Sequence, residues 1–135
     1  MNRNYETREV VKSTAQAFTT SWVDIGGEIE MRGYNTLAVW ATLDINNTNN
    51  PRIRALAKLD SAGTKEYNIV IKSVGASDVK IESNYIEWNV DADMETLIQF
   101  ETDGLIPYIQ LQIQCGTVGV AAGQIDYLEI TKAWK

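Results

Sequence analysis

Apolar and polar residues alternate along most of this chain with a period of two, the spacing that sends successive side chains to opposite faces of a strand. Leu37, Val39, Ala41, Leu43 and Ile45 share one face of such a run, and beyond the polar stretch 46–51 the next run turns Ile53, Ala55, Ala57 and Leu59 inward. These two runs read as neighbouring antiparallel strands. Asp60-Ser61-Ala62-Gly63-Thr64 carries turn chemistry, with Gly63 free to take positive φ, and delivers the chain into Tyr67, Ile69 and Ile71 as the third strand of a meander. From Val79 and Ile81 the apolar parity slips by one to Ile86, Trp88 and Val90, which predicts a bulge or bend near residues 83–85. Ile98 and Phe100 mark a short strand. After Asp103, Gly104 and Pro107 comes the clearest alternation, Ile109-Gln110-Leu111-Gln112-Ile113-Gln114-Cys115; a glycine-rich turn over 116–123 and a last strand over 125–134 follow. Residues 9–18, 22–25 and 29–31 are weaker strand candidates.

Eight or nine short antiparallel strands, spaced by roughly ten residues and separated by turn signals, predict an all-β, single-domain β-sandwich of jelly-roll-like type. At 135 residues and 15.1 kDa the chain has material for one core and not for two. The sandwich is expected over residues 18–135. Residues 1–17 are expected as an extended N-terminal arm, because Val10 and Val11 are their only strong apolar pair and such an arm orders against a partner.

Composition narrows the chemistry. The chain has no histidine, which removes the usual general base at neutral pH, the commonest metal ligand and any Ser-His or Cys-His nucleophile system. Neither an enzyme nor a cofactor is expected. Twelve Lys and Arg against eighteen Asp and Glu leave a net charge of −6 and a pI near 4.6, so a nucleic-acid partner is not expected. Residues 1–8 are polar and no stretch has the apolar length of a membrane span, so neither a signal peptide nor a membrane partner is expected and synthesis is placed in the cytoplasm. Cys115 is the single cysteine and continues the inward series Ile109, Leu111, Ile113, as a buried small hydrophobe would. Asn46-Asn47-Thr48 matches a glycosylation sequon, without a secretory signal to give it meaning.

Candidate sites lie in surface patterns. Asp91, Asp93 and Glu95 alternate as calcium loops do, yet Thr96 and Thr102 stand where an EF-hand needs Gly and a bidentate Glu; a solvated acidic turn is the default, a looser hard-cation site is the alternative, and no metal site is assigned. Paired carboxylates such as Glu82 and Glu87 could in principle do glycosidase work, but a sequence does not give their separation in space, and no catalytic residue is assigned. Residues 81–131 contain no Lys or Arg, whereas Arg52, Arg54 and Lys58 alternate along one strand. Their signs either mix when strands interleave or mediate acid-to-base contact between copies. Trp22, Trp40, Trp88 and Trp134, with Tyr34, Tyr85, Tyr108 and Tyr127, serve as core, interface anchors or a sugar-stacking platform. Trp40 points away from the face of Val39 and Ala41. Gln110, Gln112 and Gln114 beside Tyr108 make an uncharged outward face of the kind found at the centre of protein interfaces.

The segments SWVDIGGEIEMRGYNTLAVWATLDIN, ALAKLDSAGTKEY, DGLIPYIQLQIQ and GTVGVAAGQID, spanning about residues 18–130, resemble small structural proteins of tailed bacteriophages, head-decoration and other accessory β-sandwich proteins among them. The resemblance implies a virion protein that is not an enzyme: a homo-oligomer, a trimer by preference, that binds the major capsid protein or another virion protein and stabilises the assembled head. Its expected interface is Trp40, Arg52, Arg54, Tyr108, Gln110, Gln112 and Gln114. The alternative is a carbohydrate-binding module or fibre-like receptor-binding domain of a phage or bacterium, using Trp40, Tyr85 and Trp88.

Overall fold

A computed structural model describes residues 6–45, 51–60, 66–68, 71–73, 79–81, 84–88, 94–102, 104–116 and 123–135. Among them are thirteen strands: β1 (Glu6–Lys12), β2 (Gln16–Ala17), β3 (Val23–Asp24), β4 (Ile29–Glu30), β5 (Thr36–Ile45), β6 (Arg52–Lys58), β7 (Glu66–Asn68), β8 (Ile71–Ser73), β9 (Val79–Ile81), β10 (Ile86–Trp88), β11 (Met94–Glu101), β12 (Tyr108–Gln114) and β13 (Gly123–Ala133). The first sheet runs β1-β13-β5-β11-β8, with β2 also on β13. The second runs β3-β12-β6-β10-β9, with β4 also on β12 and β7 also on β6. Because several short segments share a partner, the thirteen fill ten strand positions. The chain is an all-β sandwich. Successive long strands alternate between the sheets, and the orders β1-β13-β5-β11 and β3-β12-β6-β10 are jelly-roll connectivity.

Inward positions at the strand period build the core. Leu37, Val39, Ala41 and Leu43 from β5 and Ile125, Leu128 and Ile130 from β13 face Ile53, Ala55 and Ala57 from β6 and Ile109, Leu111 and Ile113 from β12, all buried. Trp88 lies fully inside, edge-on to Phe18 with ring centroids 6.1 Å apart, and its Nε1–H donates to Thr96 Oγ1 at 3.3 Å across the sandwich. That bond satisfies the one polar group the indole brings into the core. Cys115 is buried at the end of the β12 series.

Sequence expectations about neighbouring strands are corrected at two points. β5 and β6 are not a hairpin: β5 lies between β13 and β11, and β6 lies in the other sheet between β12 and β10. An apolar stripe is satisfied by a sheet across the core as well as by a lateral neighbour, so alternation by itself does not choose between them. The meander therefore fails at its first step, although β7 does pair with β6. The parity slip before Ile86 falls at a bend at Asn84, the second of the two forms expected there, between strands that pair antiparallel with Ile86 opposite Ile81. The strand around Ile98 and Phe100 is also longer than its apolar residues show, since β11 pairs with β5 from Met94↔Leu43 to Glu101↔Thr36.

Residues 6–12 of the N-terminal segment lie along β13 in register from Glu6↔Ala133 to Lys12↔Leu128, with a shift between Val10 and Lys12. Backbone pairing compensates for the shortage of apolar side chains, and Val11 packs partly buried against the core. A boundary at residue 17 therefore does not separate this segment from the sheet. Its close approach is fitted to a glycine: Gly26 takes a φ of 69°, and a Cβ there would collide with Val11 Cγ1. Between the two sheets at this edge, Lys132 Nζ donates to Glu30 O at 2.9 Å and lies 3.2 Å from Glu9 Oε2.

Candidate functional site on the outer faces

The register of β12 with β6 sets Tyr108, Gln110, Gln112 and Gln114 opposite Lys58, Leu56, Arg54 and Arg52 on the outer face of the second sheet. Glutamines flank arginines, and the pairs are made. Arg54 Nε and an η-nitrogen donate to Gln112 Oε1 at 2.9 and 2.6 Å, and Gln112 Nε2 donates to Asp24 Oδ1 at 2.8 Å. Arg52 Nε donates to Glu87 Oε1 at 3.0 Å and another of its nitrogens to Gln114 Oε1 at 3.3 Å, while Gln114 Nε2 donates to Thr20 O at 3.0 Å. Each guanidinium also covers an aromatic ring: Arg54 stands 4.2 Å from the Trp22 centroid and Arg52 4.8 Å from that of Tyr85. Those rings lie 6.0 Å apart, so the four side chains form one half-buried cluster.

The acidic second half of the sequence and the basic stripe meet within the chain, at Arg52–Glu87, and Lys58 finds Glu28 at 3.6 Å. Tyr108 is half-buried under Arg32, whose guanidinium carbon is 5.2 Å from the ring centroid. Gln110 departs from the expected outward face: it is 3% exposed, with Nε2 donating to Gly26 O and Leu111 O, and Leu56 opposite it is buried as well.

The outer face of the first sheet is different in kind. Trp40 on β5 is 45% exposed, between Glu129 on β13 and Leu97 on β11. Its Nε1–H donates to Thr131 Oγ1 at 3.1 Å, which fixes the indole and leaves its ring face to solvent. A register shift between Ile125 and Tyr127 inserts an extra residue into β13 and leaves Tyr127 exposed beside Thr42. Trp40, Ala41, Thr42, Glu95, Thr96 and Tyr127 line a hollow of about 180 Å³.

The sequence-predicted residues therefore divide between two opposite faces. Arg52, Arg54, Tyr108, Gln112 and Gln114 share the outer face of the second sheet, with Gln110 sunk beneath it, whereas Trp40 is on the first sheet. The glycan set does not assemble: Trp88 is in the core, Tyr85 lies under Arg52, and Trp40 is on the other sheet. Trp22 and Asp24 complete the arginine cluster, and no spacing in the sequence ties them to Arg54. Tyr127 left a signal, because the inward series passes from Ile125 to Leu128 and Ile130, a change of parity that marks the bulge. Asp91 and Asp93 lie outside the described residues, and among the described residues no group of three or more His, Cys, Asp or Glu is placed to hold a metal. No helix among them is long and apolar enough to cross a membrane.

No family model matches the chain, and no curated protein matches it in sequence. Among solved structures it is similar to the SPBc2 prophage-derived protein YomS, with 13% identity over 98% of this chain and 96% of that one and a TM-score of 0.54. It is also matched to Bacillus endospore appendages described as disulfide-linked pili, with 12% identity over 99% and 93% of the two chains and a TM-score of 0.47. The first likeness shows a shared fold.

Proposed function

We propose that this chain is a non-enzymatic structural protein of a tailed-phage particle, a head-decoration subunit that attaches to the assembled shell through the outer face of its second sheet. The observation that carries the reading is the Trp22–Arg54 and Tyr85–Arg52 cluster, braced by Gln112, Gln114, Asp24 and Glu87. Trp, Tyr and Arg are the side chains that dominate interface energetics, and here they are ordered before any partner arrives, so little rotamer entropy remains to be lost on binding. The resemblance to phage accessory proteins and the fold shared with a prophage-derived protein support the same reading. A histidine-free chain contributes binding free energy, and a subunit that binds the assembled shell but not its free parts raises shell stability by mass action. Association as a trimer would multiply weak contacts with the shell.

The test uses heads purified from a phage lacking this gene. Added protein is expected to co-sediment with them at fixed stoichiometry and to raise their melting temperature. Trp22→Ala is expected to keep a cooperative melt of its own while losing occupancy. Full occupancy with unchanged shell melting refutes the stabilising role, and full occupancy by Trp22→Ala refutes the choice of face.

A further inference from the structure

The two outer faces of a sandwich point in opposite directions, so attachment through the second sheet leaves the Trp40 face directed away from the shell. On the second sheet the glutamines and arginines are matched to one another. On the first, the Thr42 hydroxyl, the Glu95 carboxylate and the Tyr127 hydroxyl have no partner among the described residues, and they surround one hollow with the open face of Trp40.

We infer that this hollow is a binding site for a neutral sugar ring, stacked on Trp40 and held at its edge by Thr42, Glu95 and Tyr127. The chemistry of each group supports that class. An aromatic face carries partial negative charge and attracts the polarised C–H groups of a pyranose, while the ring hydroxyls need donors and acceptors at the edge. Glu95 accepts, and the hydroxyls of Thr42 and Tyr127 do both. Trp40 is fixed by its bond to Thr131, so the platform is formed before the ligand arrives. No Lys or Arg is among the described residues lining the hollow and Glu95 stands at its rim, which disfavours sulfated or sialylated sugars. A volume of about 180 Å³ suits one ring and not a peptide segment. The polar edge separates this site from a purely apolar contact with a second copy.

The experiment titrates the isolated, isotope-labelled chain with methyl β-glucopyranoside, methyl β-galactopyranoside and N-acetylglucosamine, with sialyllactose as the anionic comparison, and follows the Trp40 indole N–H together with the backbone amides of Thr42 and Tyr127, which both variants retain, by NMR. A saturable shift with at least one neutral sugar is expected. Trp40→Ala should weaken that binding by roughly tenfold or more, the scale of losing one stacked ring. Glu95→Gln, an exposed change that spares the fold, should weaken it several-fold. Three outcomes overturn the inference: no saturable shift with any neutral sugar, binding unchanged in both variants, or a Trp40 signal that depends on protein concentration and not on sugar, which would assign the face to a second copy. No shell is present in this measurement, so its failure leaves the attachment reading untouched and the reverse also holds.

Discussion

Lys132 offers the sharpest test of how the sandwich is held at its N-terminal edge. Its side chain is 11% exposed, and the ammonium joins β13 to Glu30 of the opposite sheet, to Glu9 of the edge strand and to the Tyr34 ring 4.9 Å away. Lys132→Ala removes stem and charge together. It leaves the Glu30 carbonyl without this donor, at ~1–3 kcal/mol, and forfeits methylene packing at ~0.8 kcal/mol per group, so a loss of about 3 kcal/mol is expected. Lys132→Met loses the same donor but keeps most of the stem and no longer holds an ammonium out of water, so it should be about 1–2 kcal/mol more stable than the Ala variant. Glu9→Gln removes a carboxylate whose side chain is 53% exposed, and solvent screening holds that cost to roughly 0.5–1 kcal/mol. Urea denaturation at neutral pH, with m-values checked for constancy, gives all three. A Met variant as unstable as Ala would show that the charge itself holds the edge and would refute the reasoning.

Gly26→Ala places a methyl group on Val11 at a positive φ, and should cost ~1–3 kcal/mol of which Val11→Ala in the same chain restores part, measured by thermal melting of the double-mutant cycle. Trp88→Phe leaves the Thr96 hydroxyl buried without its indole donor and opens a gap beside Phe18; about 2–3 kcal/mol should be lost, and adding Thr96→Val should recover some of it in chemical denaturation. Trp22→Ala and Arg54→Ala should couple by ~0.5–1 kcal/mol in a denaturation cycle; strict additivity would mean that the stacked geometry contributes nothing.

Strand existence and facing were legible because burial imposes a period of two: Ile109, Leu111 and Ile113, or Leu37, Val39 and Leu43, needed no more than their spacing. Pairing was not legible. The run after residue 51 presents the same apolar stripe whether it lies beside β5 or across the core from it, and only the tertiary arrangement decides. The edge strand was legible only in part, as a weak candidate over residues 9–18, since its stabilisation is mostly backbone pairing to β13, which leaves little apolar signature in residues 6–12. The alternating Arg52, Arg54 and Gln112, Gln114 were visible as separate stripes. Their joining into one lattice depends on a register that places Gln112 opposite Arg54 and Gln114 opposite Arg52, and on Trp22 reaching across from the other side of β12. Trp88 and Trp40 were indistinguishable as residue types; only facing puts one in the core and the other in solvent.

The jelly-roll order has a kinetic consequence. In the first sheet β13 lies between β1 and β5, so the opening and central strands remain apart until the last segment arrives: Glu6 meets Ala133, and Thr36 meets the same residue from the other side. Almost every stabilising pair closes a long loop before it contributes anything, a topology associated with slow folding. During synthesis β1 and the β13-facing edge of β5 must therefore wait with unpaired backbone groups, and a ribosome-bound chain stalled before residue 123 should be captured by chaperones or aggregate, whereas emergence of β13 permits the sheet to close in one late, cooperative step.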